Sequence, residues 1–527
     1  MDHRITQAAA PLTNRAQLER LSEPWALNRT FAIICTMVLA VLLGSWTASG
    51  DFQNIILLAV AAGVVMIIVF VQDYWWAPPL IITAASFGTT ALGIPMGGME
   101  MGVVILAFTL PVKVAMKTLR KVQPEMSPGV FFWALLGYVA VHAIVIYFYN
   151  KIDGTPVLKN IVKWYYVALT PLVLYGLLIR YCRPHTVRPT VSAIFFTTLF
   201  TVGVSIIALV KGFSSTPFTD LKISVGWLDA NGALGILRST APILFIGTLA
   251  FWPAVRPGPG KMLLAFAFFI SALGTLVSGG RLSLAVCISA GLFFAVIRRR
   301  LWLAIPFVVI TMVTSAVITA APDLLYSMPE SIQRALAPLN FSGQKTEIQQ
   351  ALDGSDEWHS NLRNRSIDYW MQDTGSFWVG HGYKTWDSSI DMNGDIDPAE
   401  RERLLEVAIE MGLTENMFSS ITNIFGLTGL ILYGGFLISL AWSLMKACRA
   451  TPYGSDARAL CEFSLVSLLA TLVFCAYMGS VPNLTLVYWG LGLLAARPYI
   501  AGNKPVKKAR AQEPLPDFVP KSLRPVG

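Results

Sequence analysis

The chain has 527 residues, 54% hydrophobic and 13% charged, with 40 Lys+Arg against 31 Asp+Glu and a net charge of +9. Soluble globular domains carry roughly a quarter charged residues. About half that fraction cannot coat a chain of this size in water, which excludes a string of soluble domains and points to lipid as the solvent. The expected fold class is all-α: a polytopic transmembrane helical bundle of about 14 spans, with one large outer loop containing short helices.

A membrane span needs roughly 20 mostly apolar residues. Candidates run at 31–48, 55–72, 76–95, 100–116, 129–149, 162–180, 190–211, 233–253, 261–278, 281–297, 301–320, 416–443, 459–479 and 483–498. Residues 1–30 form an N-terminal segment, 321–415 the loop and 499–527 a C-terminal tail. The first 29 residues show no short apolar core with a small-residue cleavage site, so no cleaved signal peptide is expected. Basic clusters such as Lys113 to Lys121, Arg180 to Arg188, Arg298 to Arg300, Lys446 to Arg458 and Lys504 to Arg510 fall on every second connection. The positive-inside rule then places both termini in the cytoplasm and the loop outside.

The loop holds 7 Lys+Arg and 17 Asp+Glu, a net −10, so the remainder of the chain carries +19. The basic balance thus belongs to membrane orientation, and no nucleic-acid partner is expected. None of the six cysteines lies in the loop and no CxxC pair occurs, which argues against disulfides and zinc. No phosphate-cradling glycine loop is present and no cytoplasmic connection could hold a nucleotide-binding domain, which argues against an ATP-driven pump.

The loop exceeds the length of a plain connector. It carries Trp358, Tyr369, Trp370, Phe377, Trp378, Tyr383 and Trp386, a composition that disordered segments lack. Asp397-Pro398 followed by acidic residues reads as a helix start, with Leu404, Ala408 and Met411 on one face resting on the bilayer interface. Asp391, Asn393, Asp395, Asp397 and Glu402 have oxygen ligands at calcium-loop offsets. Ile396 stands where the turn needs glycine, so an acidic solvated turn is the favoured reading.

Several charges lie where lipid makes them costly. Arg281 opens a span after Ser278-Gly279-Gly280 and Arg238 lies just inside another, both at the outer end, against the positive-inside bias. An arginine at a helix N-terminus beside small residues suits an anion, because its planar fork and free backbone amides match phosphate oxygens. His142, inside a span, reads as a hydrogen-bonded core histidine. The loop adds Arg363 and Arg365, then Gly380-His381-Gly382-Tyr383-Lys384. Glu415-Asn416 opens the next span, which reaches Gly426 and Gly429.

Together these segments, over about residues 230–445, resemble the O-antigen ligase superfamily, which includes the bacterial polysaccharide polymerases. The family's slots read here as Ser278-Gly279-Gly280-Arg281, Arg365 with Tyr369-Trp370, Gly380-His381-Gly382, Glu415-Asn416, and Gly426 with Gly429. Two departures stand out: the family's His before Asn is Glu415, and the Ser of its Ser-Arg pair is Gly280. They point to a divergent branch such as the exopolysaccharide polymerases.

The resemblance implies a bacterial inner-membrane glycosyltransferase with a periplasmic loop. It would transfer glycan from an undecaprenyl-pyrophosphate-linked donor to a glycan acceptor, without metal or cofactor, and a chain-length regulator is a further candidate partner. Arg281 would stabilise the leaving pyrophosphate and Glu415, or else His381, would act as base. Arg365, Arg363, Arg238, Asn416, Lys384 and Trp370 would bind substrate. The alternatives are a ligase to the lipid A core, a flippase or transporter for lipid-linked oligosaccharide, and a non-catalytic export subunit.

Overall fold

The computed structural model describes residues 76–77, 80, 127–152, 158–213, 230–341, 347–383, 402, 405–406, 409, 416–477 and 485–502, and the regular structure among them is helical, with no strand. Seven helices precede the loop: α1 (Val130–Ile152), α2 (Leu158–Tyr181), α3 (Val187–Phe213), α4 (Ala230–Phe251), α5 (Pro259–Val277), α6 (Arg281–Ile297) and α7 (Ile305–Ala320). Four short or polar helices follow: α8 (Pro322–Tyr326), α9 (Glu330–Leu336), α10 (Glu347–Trp370) and α11 (Thr374–Val379). The chain closes with α12 (Met417–Ala450), α13 (Asp456–Tyr477) and α14 (Thr485–Gly502).

Six of the described helical stretches are long and apolar enough to cross a membrane: Val130–Tyr149, Pro184–Ile207, Leu234–Phe251, Pro259–Val277, Leu301–Ala320 and Met417–Ala450. Their outward faces are apolar as well. In α7, Ile310 and Met312 are 64% and 66% exposed, which in water would be a large uncovered apolar patch and in lipid is a matched surface. The protein is therefore a membrane protein. Ten of the expected spans coincide with described helices to within a few residues, apart from the far end of 416–443, which runs on to Ala450. The other four lie outside the described residues, save for the buried Trp76, Ala77 and Leu80.

The bundle has two halves. In one, α12 packs on α1, α13 and α14, and α14 packs on α2, around buried Phe132, Tyr175, Phe436 and Trp489. In the other, α4 packs against α3 and α5 through Val202, Leu237 and Leu244. Helices α4, α6 and α13 join them through Ile246, Ala290, Phe294 and Val466. The ends of α5 and α7 and the starts of α4, α6 and α12 lie at one end, the loop end, where α8 to α11 also sit.

A buried ion cluster pins the opposite end. Glu462 of α13 is 1% exposed and accepts from Arg298 Nε (2.8 Å) and Arg458 Nε (2.7 Å). Arg298 follows α6 and also donates to the Leu249 and Ala250 carbonyls in the last turn of α4. One guanidinium thus ties three helices and satisfies carbonyls that a helix end leaves free.

Helix α12 is too long to be one span. At about 1.5 Å per residue its 34 residues reach about 51 Å, against about 30 Å of hydrocarbon. It is broken at Gly426 (φ 65°, ψ −171°), in the left-handed half of backbone space that a side chain resists. Residues 427–450 suffice to span alone. Met417–Phe425 forms a separate, mostly buried helix of about two and a half turns at the loop end, capped by the Asn416 side-chain Oδ1, which accepts from Phe418 N at 2.8 Å and Ser419 N at 3.4 Å.

Candidate functional site at the loop end

Two groups of residues meet at the loop end. The first surrounds the turn between α5 and α6. Ser278, Gly279 and Gly280 reverse the chain, with Gly279 at φ +68° and the Ser278 hydroxyl accepting from Gly280 N (3.2 Å). Arg281 is the first residue of α6 and partly exposed. Arg238 of α4 lies across the turn: its Nε donates to the Ser278 carbonyl (3.0 Å), and its own carbonyl accepts from Ser283 Oγ (2.9 Å). A Cβ on Gly280 would stand 2.7 Å from Ser283 Oγ and 3.1 Å from Arg238 Cγ, so glycine lets both lie close to the turn. Both arginines that the sequence set apart therefore flank one turn.

Helix α9 packs on that turn. A Cβ on Gly279 would meet the Ser331 carbonyl at 3.1 Å, so the second small residue of the motif serves helix-to-turn packing. One turn further along α9, Arg334 lies near enough for its charge to repel that of Arg238. Sequence reading passed over Arg334, because an arginine on a short loop helix carries no distinguishing signal until the helix is placed.

The second group docks the loop onto the break in α12. A helix break frees carbonyls, and in a membrane protein each needs a partner. The Asn423 carbonyl accepts from His381 N (2.7 Å), the Ile424 carbonyl from Gly382 N (3.0 Å) and the Phe425 carbonyl from the Tyr138 hydroxyl of α1 (2.6 Å). Gly380 and Gly426 face each other at φ +81° and +65°, and a Cβ on either would overlap the other strand of the seam. This gives Gly380-His381-Gly382 and Gly426 a shared physical purpose.

His142 extends the seam. Carbonyls only accept, so its Nε2 donates to Val379 O (2.9 Å) while Nδ1 accepts from the Tyr165 hydroxyl (2.8 Å). It is a hydrogen-bonded core histidine holding the loop to α1. Ser366 of α10 accepts from Asn423 Nδ2 at 2.6 Å and is fully buried.

His381 lies stacked on Tyr369, ring centroids 4.0 Å apart. Its Nε2 donates to the Tyr369 carbonyl (3.1 Å), and Nδ1 faces Ser376 Oγ at 3.3 Å. In the neutral ring Nδ1 is the atom that can take a proton. Ser376 also hydrogen-bonds to Asp373, the N-cap of α11, through hydroxyl and backbone N–H alike, and these bonds hold the Asp373 carboxyl below the usual carboxylate range.

The remaining expected residues divide. Arg365 Nη2 pairs with Glu402 Oε1 at 2.7 Å, both partly exposed, and Arg363 is exposed beside it. Trp370 was expected to bind substrate, but it is 7% exposed, parallel to Phe377 at 5.0 Å, with its indole N–H on the Phe377 carbonyl. It packs the loop against itself, whereas Trp378 is left 49% exposed. Asn416 is buried as the cap of α12. Glu415 and Lys384 lie outside the described residues, as do residues 391, 393, 395 and 397 of the acidic turn. No group of three metal-ligating side chains occurs among the described residues. The helix after Asp397 shows Leu405 and Ile409 buried on Leu362 of α10, so its described apolar residues rest on the loop's own helix rather than on lipid; Leu404, Ala408 and Met411 lie outside the described residues.

Comparison with known proteins finds no matching family model and no matching curated protein. The residues at the loop end carry the functional argument by themselves.

Proposed function

We propose that this chain is a metal-independent membrane glycosyltransferase that takes glycan from an undecaprenyl-pyrophosphate-linked donor and polymerises an exopolysaccharide or O-antigen repeat. The proposal includes fourteen spans in a bacterial inner membrane, cytoplasmic termini and a periplasmic loop over 321–415. The observation that carries it is the gathering of Arg238 and Arg281 around one small-residue turn at the loop end, where the sequence bias opposes cations.

In this reaction an acceptor hydroxyl attacks the donor sugar at C1. The C1–O bond breaks, its electron pair leaves on the lipid pyrophosphate, and the hydroxyl proton passes to a base. Negative charge grows on the leaving group, so fixed cations aimed there are the main catalytic device. Arg281 and Arg238 fill that role, with Arg365 and Arg363 of α10 and Lys384 on the loop side. Glu415, adjacent to the buried cap Asn416, is the first choice as base. His381 is the second, because one nitrogen is committed to the Tyr369 carbonyl.

The broken helix α12 favours a second reading, a transporter or flippase for the same lipid, since interrupted helices mark such sites. Against it, the break is sealed by the loop's own backbone, and no Asp, Glu, Lys or Arg occurs in α12 before Lys446. Full-length protein in lipid vesicles with labelled undecaprenyl-pyrophosphate glycan separates the two. The transferase reading expects lipid pyrophosphate release and its loss in Arg281→Ala. Donor movement across the bilayer without bond cleavage would replace it with the flippase, and neither event would leave a non-catalytic export subunit.

A further inference from the structure

The α5–α6 turn gathers arginines from three elements: Arg238 of α4, Arg281 of α6 and Arg334 of α9. Arg334 sits on α9, one helical turn after Ser331, whose backbone rests on Gly279. Residues three apart share a helix face, so Arg334 rises from the same side of α9 that covers the turn. Its charge and that of Arg238 repel. The carboxylate recorded beside it, Glu330, is 3.8 Å away and 70% exposed, with Arg334 itself 42% exposed. An exposed pair at that distance contributes little and does not cancel the repulsion. The Ser331 hydroxyl oxygen is buried at the same seam with no hydrogen-bond partner among the described residues. Like charges brought together beside an unsatisfied hydroxyl are stabilised when an anion enters.

We infer that Arg334 is the cation for the second phosphate of the donor. Arg238 is held to the Ser278 carbonyl and Arg281 is fixed at the start of α6, so these serve one phosphate next to the turn. Arg334, on a separate helix and only loosely paired, serves the other. The site then selects a pyrophosphate-linked lipid over a monophosphate-linked one, and Arg334 is the residue that sets the selectivity. This rests on the transferase reading above and adds a specificity determinant to it.

The test uses full-length protein in nanodiscs and measures retention of radiolabelled undecaprenyl pyrophosphate and undecaprenyl phosphate. Wild type should prefer the pyrophosphate by about tenfold or more. Arg334→Gln should bring the two lipids to within about twofold, chiefly by weakening the pyrophosphate, and Arg334→Lys should restore part of the preference. Glu330→Gln should keep or enlarge it. An unchanged ratio in Arg334→Gln, an equal loss of both lipids, or no preference in wild type overturns the inference. A wild type that binds both lipids and releases pyrophosphate while Arg334→Gln leaves the ratio intact sinks Arg334 alone. A wild type that binds neither lipid sinks the transferase reading with it.

Discussion

The two ends of α6 treat arginine in opposite ways. At the far end Arg298 is buried, bonded to Glu462 and to two helix carbonyls, and its charge is answered within the protein. At the loop end Arg238 and Arg334 crowd one turn with like charges, and the recorded carboxylate Glu330 stands at the exposed edge. Charge answered internally builds structure. On the proposal above, the charge gathered beside the glycine turn is kept for phosphate.

Mutations should separate the ends. Glu462→Gln removes the shared partner of two buried guanidinium groups, a change that costs about 3–5 kcal/mol. The expected outcome is a large loss of thermal stability in detergent, read by scanning fluorimetry; a stability close to wild type would dissolve the contrast. At the loop end, Arg281→Ala should leave the melting temperature nearly unchanged and lower lipid pyrophosphate release by about 10²–10³-fold, the usual scale for removing a donor to a developing anion.

The seam should respond in between. Gly426→Ala forces a side chain into the left-handed region and against the Trp378 carbonyl. A strained backbone of this kind costs about 1–3 kcal/mol, and limited proteolysis should cut the loop faster than in wild type. Tyr165→Phe removes the hydrogen bond to His142 Nδ1 and should cost about 1 kcal/mol, measured as a small drop in melting temperature. The smallest effect concerns pH. Asp373 has a depressed folded-state pKa, so its cap stabilises α11 above the ordinary carboxylate range and loses this as pH falls through the folded value. The hydrogen-exchange protection of Ser376 N, taken relative to the intrinsic rate at each pH, should fall in acid, and Asp373→Asn should flatten that response.

Much of the fold was legible because hydropathy is a one-dimensional property: the α6 span 281–297 and the 278–281 turn match the helix ends residue for residue. The Arg238–Arg281 pairing was legible only in part, as two costly cations on one side. What closed the rest was distance along the chain. Glu462 lies 164 residues from Arg298, and its charge inside an apolar stretch was the available, unused signal. Trp370 misled because a sequence names an aromatic ring without naming which face Phe377 covers. Gly426 was marked by the resemblance, but its need for positive φ became visible only with the loop backbone against it.

The break at Gly426 also decides which part of α12 feels the bilayer. A helix longer than the hydrocarbon is thick tilts or bends to fit, and a continuous α12 would carry its first turns along. Because residues 427–450 are jointed to Met417–Phe425 at one glycine, a thicker or thinner bilayer is absorbed by tilt below the joint. The segment above is moored to α1 and to the loop through Tyr138, His381 and Gly382. Tilt below the joint should then leave the loop end unstrained, so that the candidate site is expected to keep its shape across membranes of different thickness.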